Sequence, residues 1–185
     1  MLSEETVTDE ALACRAKEGD HGAFEELVRR YQGRLFSYLG YRAGRSAAED
    51  IFQDVCVKWW THMKDYEPRG RFAAWAFTIA RHALIDAADK ERRRRTAPLE
   101  GPAEHAADPA PGPERAAGSS ELREHLALAL EGLSAPQREA FLLREYGGLS
   151  FKEIARLQDC PLGTALGRMR TALLKLKGAL ETQHG

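Results

Sequence analysis

SFKEIARLQDCPLGTALGRMRTALLKLKG, residues 150–178, carries the spacing on which the fold turns. Phe151, Ile154, Ala155 and Leu157 recur at helical intervals, which predicts a first helix with one buried side. Ala155 is small enough to let a second helix cross close by. A tight turn is expected from Gln158 to Gly163, with Thr164 capping the second helix. The apolar stripe of that helix is Ala165, Met169, Ala172, Leu173, Leu176 and Leu180. Thr164, Gly167, Arg168, Thr171 and Lys175 fall outside the stripe, and residues 164–178 hold four bases and no acid. This is the layout of a helix-turn-helix, whose second helix turns a polar, basic face into a major groove. Arg168 suits a bidentate contact with guanine, and Thr164 and Lys175 suit phosphates. The competing reading is a helical hairpin with a basic solvent face.

Working outward, helix signals continue and strand signals are almost absent. Three segments carry a capping-box pattern: Ser46-Ala-Ala-Glu49, Ser134-Ala-Pro-Gln137 and Ser150-Phe-Lys-Glu153. In each, a serine side chain satisfies a free backbone N–H and the third residue on reaches back. Helices are expected over 9–18, 22–42, 46–63, 72–94, 120–132, 135–146, 150–158 and 164–181, an all-α chain. Residues 96–120 hold Pro98, Pro102, Pro109, Pro111 and Pro113, three glycines and no aromatic. Such a stretch buries too little apolar surface to fold and reads as a flexible linker of net charge -3. The expected organisation is a helical domain over 1–95, a linker over 96–119 and a smaller helical domain over 120–185.

The net charge of the 185 residues is -1, so the distribution matters more than the total. Residues 1–26 carry eight acids against Arg15 and Lys17, whereas 90–95 (KERRRR) and 164–178 each carry +4. Two separate basic patches suggest two contacts with a polyanion. Cys14, Cys56 and Cys160 form no CxxC pair, and no apolar run approaches the roughly 20 residues that span a bilayer. Residues 1–10 are acidic and lack the apolar core of a signal peptide, so a reduced, cytoplasmic protein without membrane insertion is expected.

In residues 46–63, Ile51, Val55 and Trp59 form one helical stripe. Asp50, Gln53, Asp54 and Val57 form another, with Trp60 near its end. Acids beside exposed apolar groups suit a protein–protein docking surface, although a core helix with an acidic solvent face explains the pattern too. Further on, DYEPRGR (65–71) places Arg69 and Arg71 next to Phe72 and Trp75, with Trp59 and Trp60 upstream. Flat aromatic faces beside a basic loop are what unpaired bases require, and Arg92, Arg93, Arg94 and Arg95 can grip an adjoining duplex. Some of these aromatics must be core, because the apolar arc of helix 72–94 covers more than half its circumference.

AEDIFQDVCVKWW, DYEPRGRFAAWAFTIARHALID and LSFKEIARLQDCPLGTALGRMRTALLKL together resemble bacterial sigma factors of the small two-domain, extracytoplasmic-function (ECF) type. The resemblance covers residues 20–95 and 120–180. It implies a transcription initiation factor with no cofactor, resident metal or enzymatic activity. The first domain resembles sigma region 2, in which Asp50, Gln53 and Asp54 dock on core RNA polymerase. By the same resemblance Arg69, Arg71, Phe72 and Trp75 melt the -10 element and capture a base. His82 and Asp86 stand in an ARNxxxD-like stretch, here ARHALID, with His in place of Asn. The second domain resembles region 4, reading the -35 element through residues 164–175, and the linker would follow the RNA exit path. An anti-sigma partner is expected as well. Asp159 stands where the family often has glycine, and Leu166-Gly167 replace groups that reach DNA.

Two other readings compete with this one. A helix-turn-helix regulator acting without polymerase docking needs an α/β receiver or ligand domain upstream, and residues 1–95 show no strands. An enzyme or metal site on His82 and Asp86, four residues apart on one helix, lacks a third ligand or a nucleophile at sensible spacing.

Overall fold

The computed structural model describes residues 7–68, 71–96 and 120–182, whose regular elements are all helices, with no strand among them. The first unit contains α1 (Asp9–Lys17), α2 (His21–Ala43), α3 (Arg45–His62) and α4 (Phe72–Thr96), with a 3-10 turn at Met63–Asp65. The second contains α5 (Ser120–Glu131), α6 (Ala135–Glu145), α7 (Phe151–Leu157) and α8 (Leu162–Thr182). The linker expected over 96–119 lies outside the described residues, except that Thr96 closes α4.

Local chemistry starts most of these helices. The Thr8 hydroxyl accepts from Ala11 N at 3.2 Å, and Asp20 accepts from Ala23 N at 3.0 Å. Ser134–Gln137 and Ser150–Glu153 form the expected capping boxes; in the second, Glu153 accepts from Ser150 N at 2.6 Å. Ser46–Glu49 does not. α3 begins at Arg45 directly after Gly44, whose φ of 81° turns the chain, and no side chain caps it. Gly44 N also bonds back to Gly40 O, so one glycine serves as the end of α2 and the start of α3.

In the first unit α2, α3 and α4 pack around Leu27, Tyr31, Leu35, Tyr38, Val55, Trp59, Phe72 and Phe77, all buried. Trp59 satisfies its indole N–H on Ala76 O at 3.4 Å. α1 is tied down by Asp9, which accepts from the Tyr31 hydroxyl at 2.7 Å, and by Glu10, which accepts from Phe72 N at the start of α4. The aromatic–arginine segment thus divides along its length. Phe72 and Phe77 are core, Trp75 is half-buried, and Arg92–Arg95 project from the last turns of α4.

In the second unit α5, α6 and α7 pack on α8 through Leu130, Leu142, Leu143, Ile154, Ala165, Ala172 and Leu176. The turn between α7 and α8 departs from expectation in two ways. It ends earlier, because Pro161 O accepts from Thr164 N and Ala165 N, so Thr164 lies inside α8 and is not its cap. Its sharp point is Asp159, in the left-handed region at φ 47°. Asp159 N bonds to Arg156 O and Cys160 N to Ala155 O, the paired bonds of a Schellman ending. Aspartate tolerates this conformation better than most residues, which explains how the turn survives without glycine. Leu173, expected in the buried stripe, is exposed at the rim of α8.

Candidate functional site

The outward face of α3 is set by what its inward face buries. Ala48, Ile51, Val55 and Trp59 point into the bundle, which leaves Asp50, Gln53, Asp54 and Val57 exposed along the opposite side. Val57 is 65% exposed and Trp60 40%. Trp60 is held in place by stacking on His21 at 4.8 Å and an edge contact with Phe24 at 5.0 Å. The result is a fixed patch of carboxylates around a bare valine and an indole. Lys58 braces this helix against α4 by donating to Asp86 at 2.7 Å, and that hydrogen bond holds the Asp86 carboxyl below the usual carboxylate range. Asp86 is therefore occupied in fixing α3 to α4.

At the start of α4, Arg71 is exposed, while Arg69 lies outside the described residues. Phe72 is fully buried, in ring contact with Tyr31, Trp59, Tyr66 and Trp75. Its ring is thus unavailable to a base; it backs Trp75, whose indole also leans on Tyr66 at 5.3 Å. Trp75 and His82, two turns apart, line one wall of a cleft of about 330 Å³, and Glu153 and Arg156 of the second unit line the other. Arg92 donates to Asp89 at 2.7 Å, and Arg94 and Arg95 pair with Glu91 at 3.8 and 3.0 Å. Arg93 extends the same exposed run.

On α8, Thr164, Gly167 and Lys175 are exposed, and Arg168 and Thr171 are half-buried. Arg168 donates to Gln158 Oε1 at 2.9 Å and to Cys160 Sγ at 3.3 Å, so the guanidinium is aimed by the preceding turn. Leu166, at 45% exposure, stands on the outer surface of α8 between Thr164 and Gly167 in sequence.

Four arginines of the first unit escaped the sequence reading in the role the structure gives them. Arg34 donates to the Tyr146 and Gly147 carbonyls at the end of α6 while stacking over Tyr31 at 4.6 Å. Arg71 donates to Gly148 O at 2.8 Å and to Glu153 Oε2 at 2.7 Å. Arg81 and Arg42 approach Glu139 Oε1 at 3.2 and 3.5 Å. Glu139, 6% exposed, is the buried charged side chain among the described residues. A signal for it existed: Glu139 is spaced three, four and seven residues from Leu142, Leu143 and Tyr146, on the apolar side of α6.

The family models for Sigma-70 region 2 and Sigma-70 region 4 match residues 27–94 and 123–176. The chain is 31% identical over 174 residues to the ECF RNA polymerase sigma-E factor of Haemophilus influenzae, covering 89% of this chain and 91% of that protein. It is 30% identical over 180 residues to the Escherichia coli K12 counterpart, covering 89% and 90%. Among solved structures, the sigma factor RpoE from Bartonella quintana, in complex with the anti-sigma factor NepR, superimposes with a TM-score of 0.67. That match has 28% identity and covers 85% of this chain and 96% of that one. CnrH in complex with the cytosolic domain of CnrY shares the fold, with a TM-score of 0.64 at 24% identity over 94% of this chain and 97% of that one. The chain belongs to the sigma-70 family of RNA polymerase sigma factors, in its ECF group. It is an alternative sigma factor that binds core RNA polymerase and promoter DNA and directs transcription initiation. A regulator acting apart from polymerase is not favoured, because the match extends over the first unit as well as the helix-turn-helix. Among the described residues no helix is long and apolar enough to cross a membrane.

Proposed function

We propose that the surfaces divide the work of initiation by domain: 1–95 acts as region 2, 96–119 as linker and 120–185 as region 4. The observation that carries this division is the outward face of α3. Asp50, Gln53, Asp54, Val57 and Trp60 form a rigid acidic–apolar patch that nothing in the bundle covers, suited to docking on a basic and apolar helix of core polymerase.

The -10 element is then taken by the adjoining edge of α4. Trp75 offers a face to an unpaired base, and the Arg69–Arg71 loop offers cations to its phosphates. Phe72 contributes by backing Trp75, and Asp86 by fixing α4 to α3. His82 shares the Trp75 wall of the cleft. Arg92–Arg95 hold the neighbouring duplex by charge. Melting needs no nucleotide hydrolysis on this reading, since capture of displaced bases offsets the cost of opening the duplex. On α8, Thr164, Gly167, Arg168, Thr171 and Lys175 face the -35 major groove, and Gln158 sets the direction of Arg168. No catalytic group is assigned. An anti-sigma factor is a further partner, by likeness to the complexed sigma factor from Bartonella quintana, and the place of action is the cytoplasm.

The test is gel filtration of core RNA polymerase with the wild-type chain and with an Asp50→Arg/Asp54→Arg variant. Wild type is expected to co-migrate with core, and the variant to elute alone with its helical content unchanged. Equal co-migration of both removes α3 from the docking surface.

A further inference from the structure

α8 buries Ala165, Met169, Ala172 and Leu176 against the rest of the second unit. At about 100° per residue, the line directly opposite runs through Gly163, Gly167 and Leu174. All three are exposed, so they form the crest that enters a groove first. One shoulder of the crest carries Thr171, then Thr164, Lys175 and Arg168 in order of distance from it. The other carries Arg170 and, further round and one turn earlier, Leu166. The residues assigned above to the -35 element draw on the crest and the first shoulder, and the second shoulder has no role among them.

The two arginines are in opposite states. Arg168 is half-buried, furthest from the crest, and one of its terminal nitrogens is shared between Gln158 Oε1 at 2.9 Å and Cys160 Sγ at 3.3 Å. Arg170 is exposed and pairs with no acid or carbonyl among the described residues, and residues 164–178 contain no acid. Its whole fork is open to the O6 and N7 acceptors that guanine presents side by side. Leu166 is 45% exposed and takes no part in the core of the unit. A leucine offers a major groove no hydrogen bond, and the apolar group it can meet there is the C5-methyl of thymine.

Gly163 and Gly167 supply the clearance. A Cβ at either would meet nothing within 4 Å, so packing does not demand these glycines. A glycine inside a helix costs stability relative to alanine; what it permits is close approach of the backbone to a ligand. With the crest bare over this turn, the helix settles deeper and its shoulders come level with the base edges. Leu166 and Arg170 are four residues apart, about 6 Å along the axis, against about 3.4 Å per base pair.

We propose that Arg170 and Leu166 are specificity determinants for the -35 element. Arg170 takes a guanine, and Leu166 takes the methyl group of a thymine about two base pairs from it. Arg168 holds the turn and meets the wall of the groove. This rests on the assignment of α8 to the -35 element.

The test is made on holoenzyme reconstituted from core RNA polymerase and the full chain. Duplexes randomised across the -35 region are selected for binding by wild type, Leu166→Ala, Arg170→Ala and Arg168→Ala. Wild type should enrich a guanine and a thymine at the stated spacing. Arg170→Ala should lose the guanine alone, a fall of about 5- to 150-fold in preference, and Leu166→Ala the thymine alone. On the selected site, deoxyuridine in place of that thymine removes only the methyl group. This should weaken wild type about 3- to 5-fold and leave Leu166→Ala unmoved. Gly167→Ala should raise the melting temperature followed by circular dichroism and yet weaken binding to every site, a pairing that a merely structural glycine would not give. Equal motifs from wild type and Arg170→Ala, or a deoxyuridine effect that persists in Leu166→Ala, would overturn the proposal. Loss of co-migration with core polymerase in Leu166→Ala would overturn it too, because the shoulder would then be a protein contact. If Arg168→Ala alone changes the motif, the proposal falls while α8 keeps the -35 element; if no variant of α8 changes it, that assignment falls as well.

Discussion

Replacement of Phe72 separates packing from DNA contact. Its ring is fully buried and meets Tyr31, Trp59, Tyr66 and Trp75 at 5.2, 5.3, 5.9 and 5.4 Å between centroids. Removing a buried phenyl ring costs about 3–5 kcal/mol in transfer and cavity terms. Four aromatic partners place Phe72→Ala toward the upper part of that range, since each well-oriented ring pair adds about 0.5–1.5 kcal/mol beyond area burial. Against a total stability of about 5–15 kcal/mol, such a loss leaves the first unit marginal or unfolded. Phe72→Leu, which refills most of the space, should cost about 1–2 kcal/mol and leave the unit folded. The assay is urea unfolding followed by tryptophan fluorescence. Trp59, Trp60 and Trp75 all lie in the first unit, and Trp59 is buried in its core, so the signal follows the unfolding of that unit, with Trp75 also sensing the cleft to the second. The midpoint should fall in the order wild type, Phe72→Leu, Phe72→Ala with similar slopes. Folded Phe72→Leu should still support promoter melting, whereas Trp75→Ala should not. A Phe72→Ala midpoint within about 1 kcal/mol of wild type would refute the buried cluster, and loss of melting by stable Phe72→Leu would restore Phe72 as a base contact.

Three further outcomes are expected. Asp159→Gly should leave the stability of the second unit level or slightly raised, while Asp159→Val should lower it by about 1–2 kcal/mol in thermal unfolding, because only the second forces a β-branched residue into the left-handed region. Burial pushes the Glu153 carboxyl up, but the Arg71 guanidinium and the Ser150 hydroxyl and N–H outweigh it and hold the group down to about 2. A depressed carboxyl contributes fully above its ordinary 4.5 and loses its contribution as pH falls toward 2, so the contact between units should weaken over that interval. A carbon-detected titration should find a low midpoint that rises in Arg71→Ala; an ordinary midpoint in wild type would mean that the contact is absent in solution. Burial pushes the Cys56 thiol up to about 11, and Cys14 is exposed, so a maleimide at pH 7.5 should label Cys14 well before Cys56, as peptide mapping would show.

The helices were legible because local signals and apolar spacing agreed. Ser134 and Ser150 cap as their sequences suggest, and the α4 arc was wide enough to require burial on most sides. The same local signals misled at Ser46 and Thr164, where Gly44 and Pro161 already fix the chain one or more residues earlier. The exposed face of α3 followed from periodicity, since burying Ile51, Val55 and Trp59 leaves Asp50, Gln53, Asp54 and Val57 outside. Phe72 was not separable from Trp75 by spacing, because the two sit three residues apart on a helix buried on most sides. What decides between them is the floor laid by Tyr31 and Trp59, more than ten residues away in sequence. The contact between units was illegible for a related reason. An arginine reads as a solvated cation until its acceptor is known, and Arg34 finds its own 112 residues downstream at a helix end.

Run-off transcription with core bacterial RNA polymerase and sheared DNA from the source genome tests whether these surfaces act together as a sigma factor. Discrete new transcripts should appear only when the chain is added, and should be lost with Asp50→Arg/Asp54→Arg and with Trp75→Ala. Absence of transcripts together with failure to co-migrate with core polymerase would contradict the assignment.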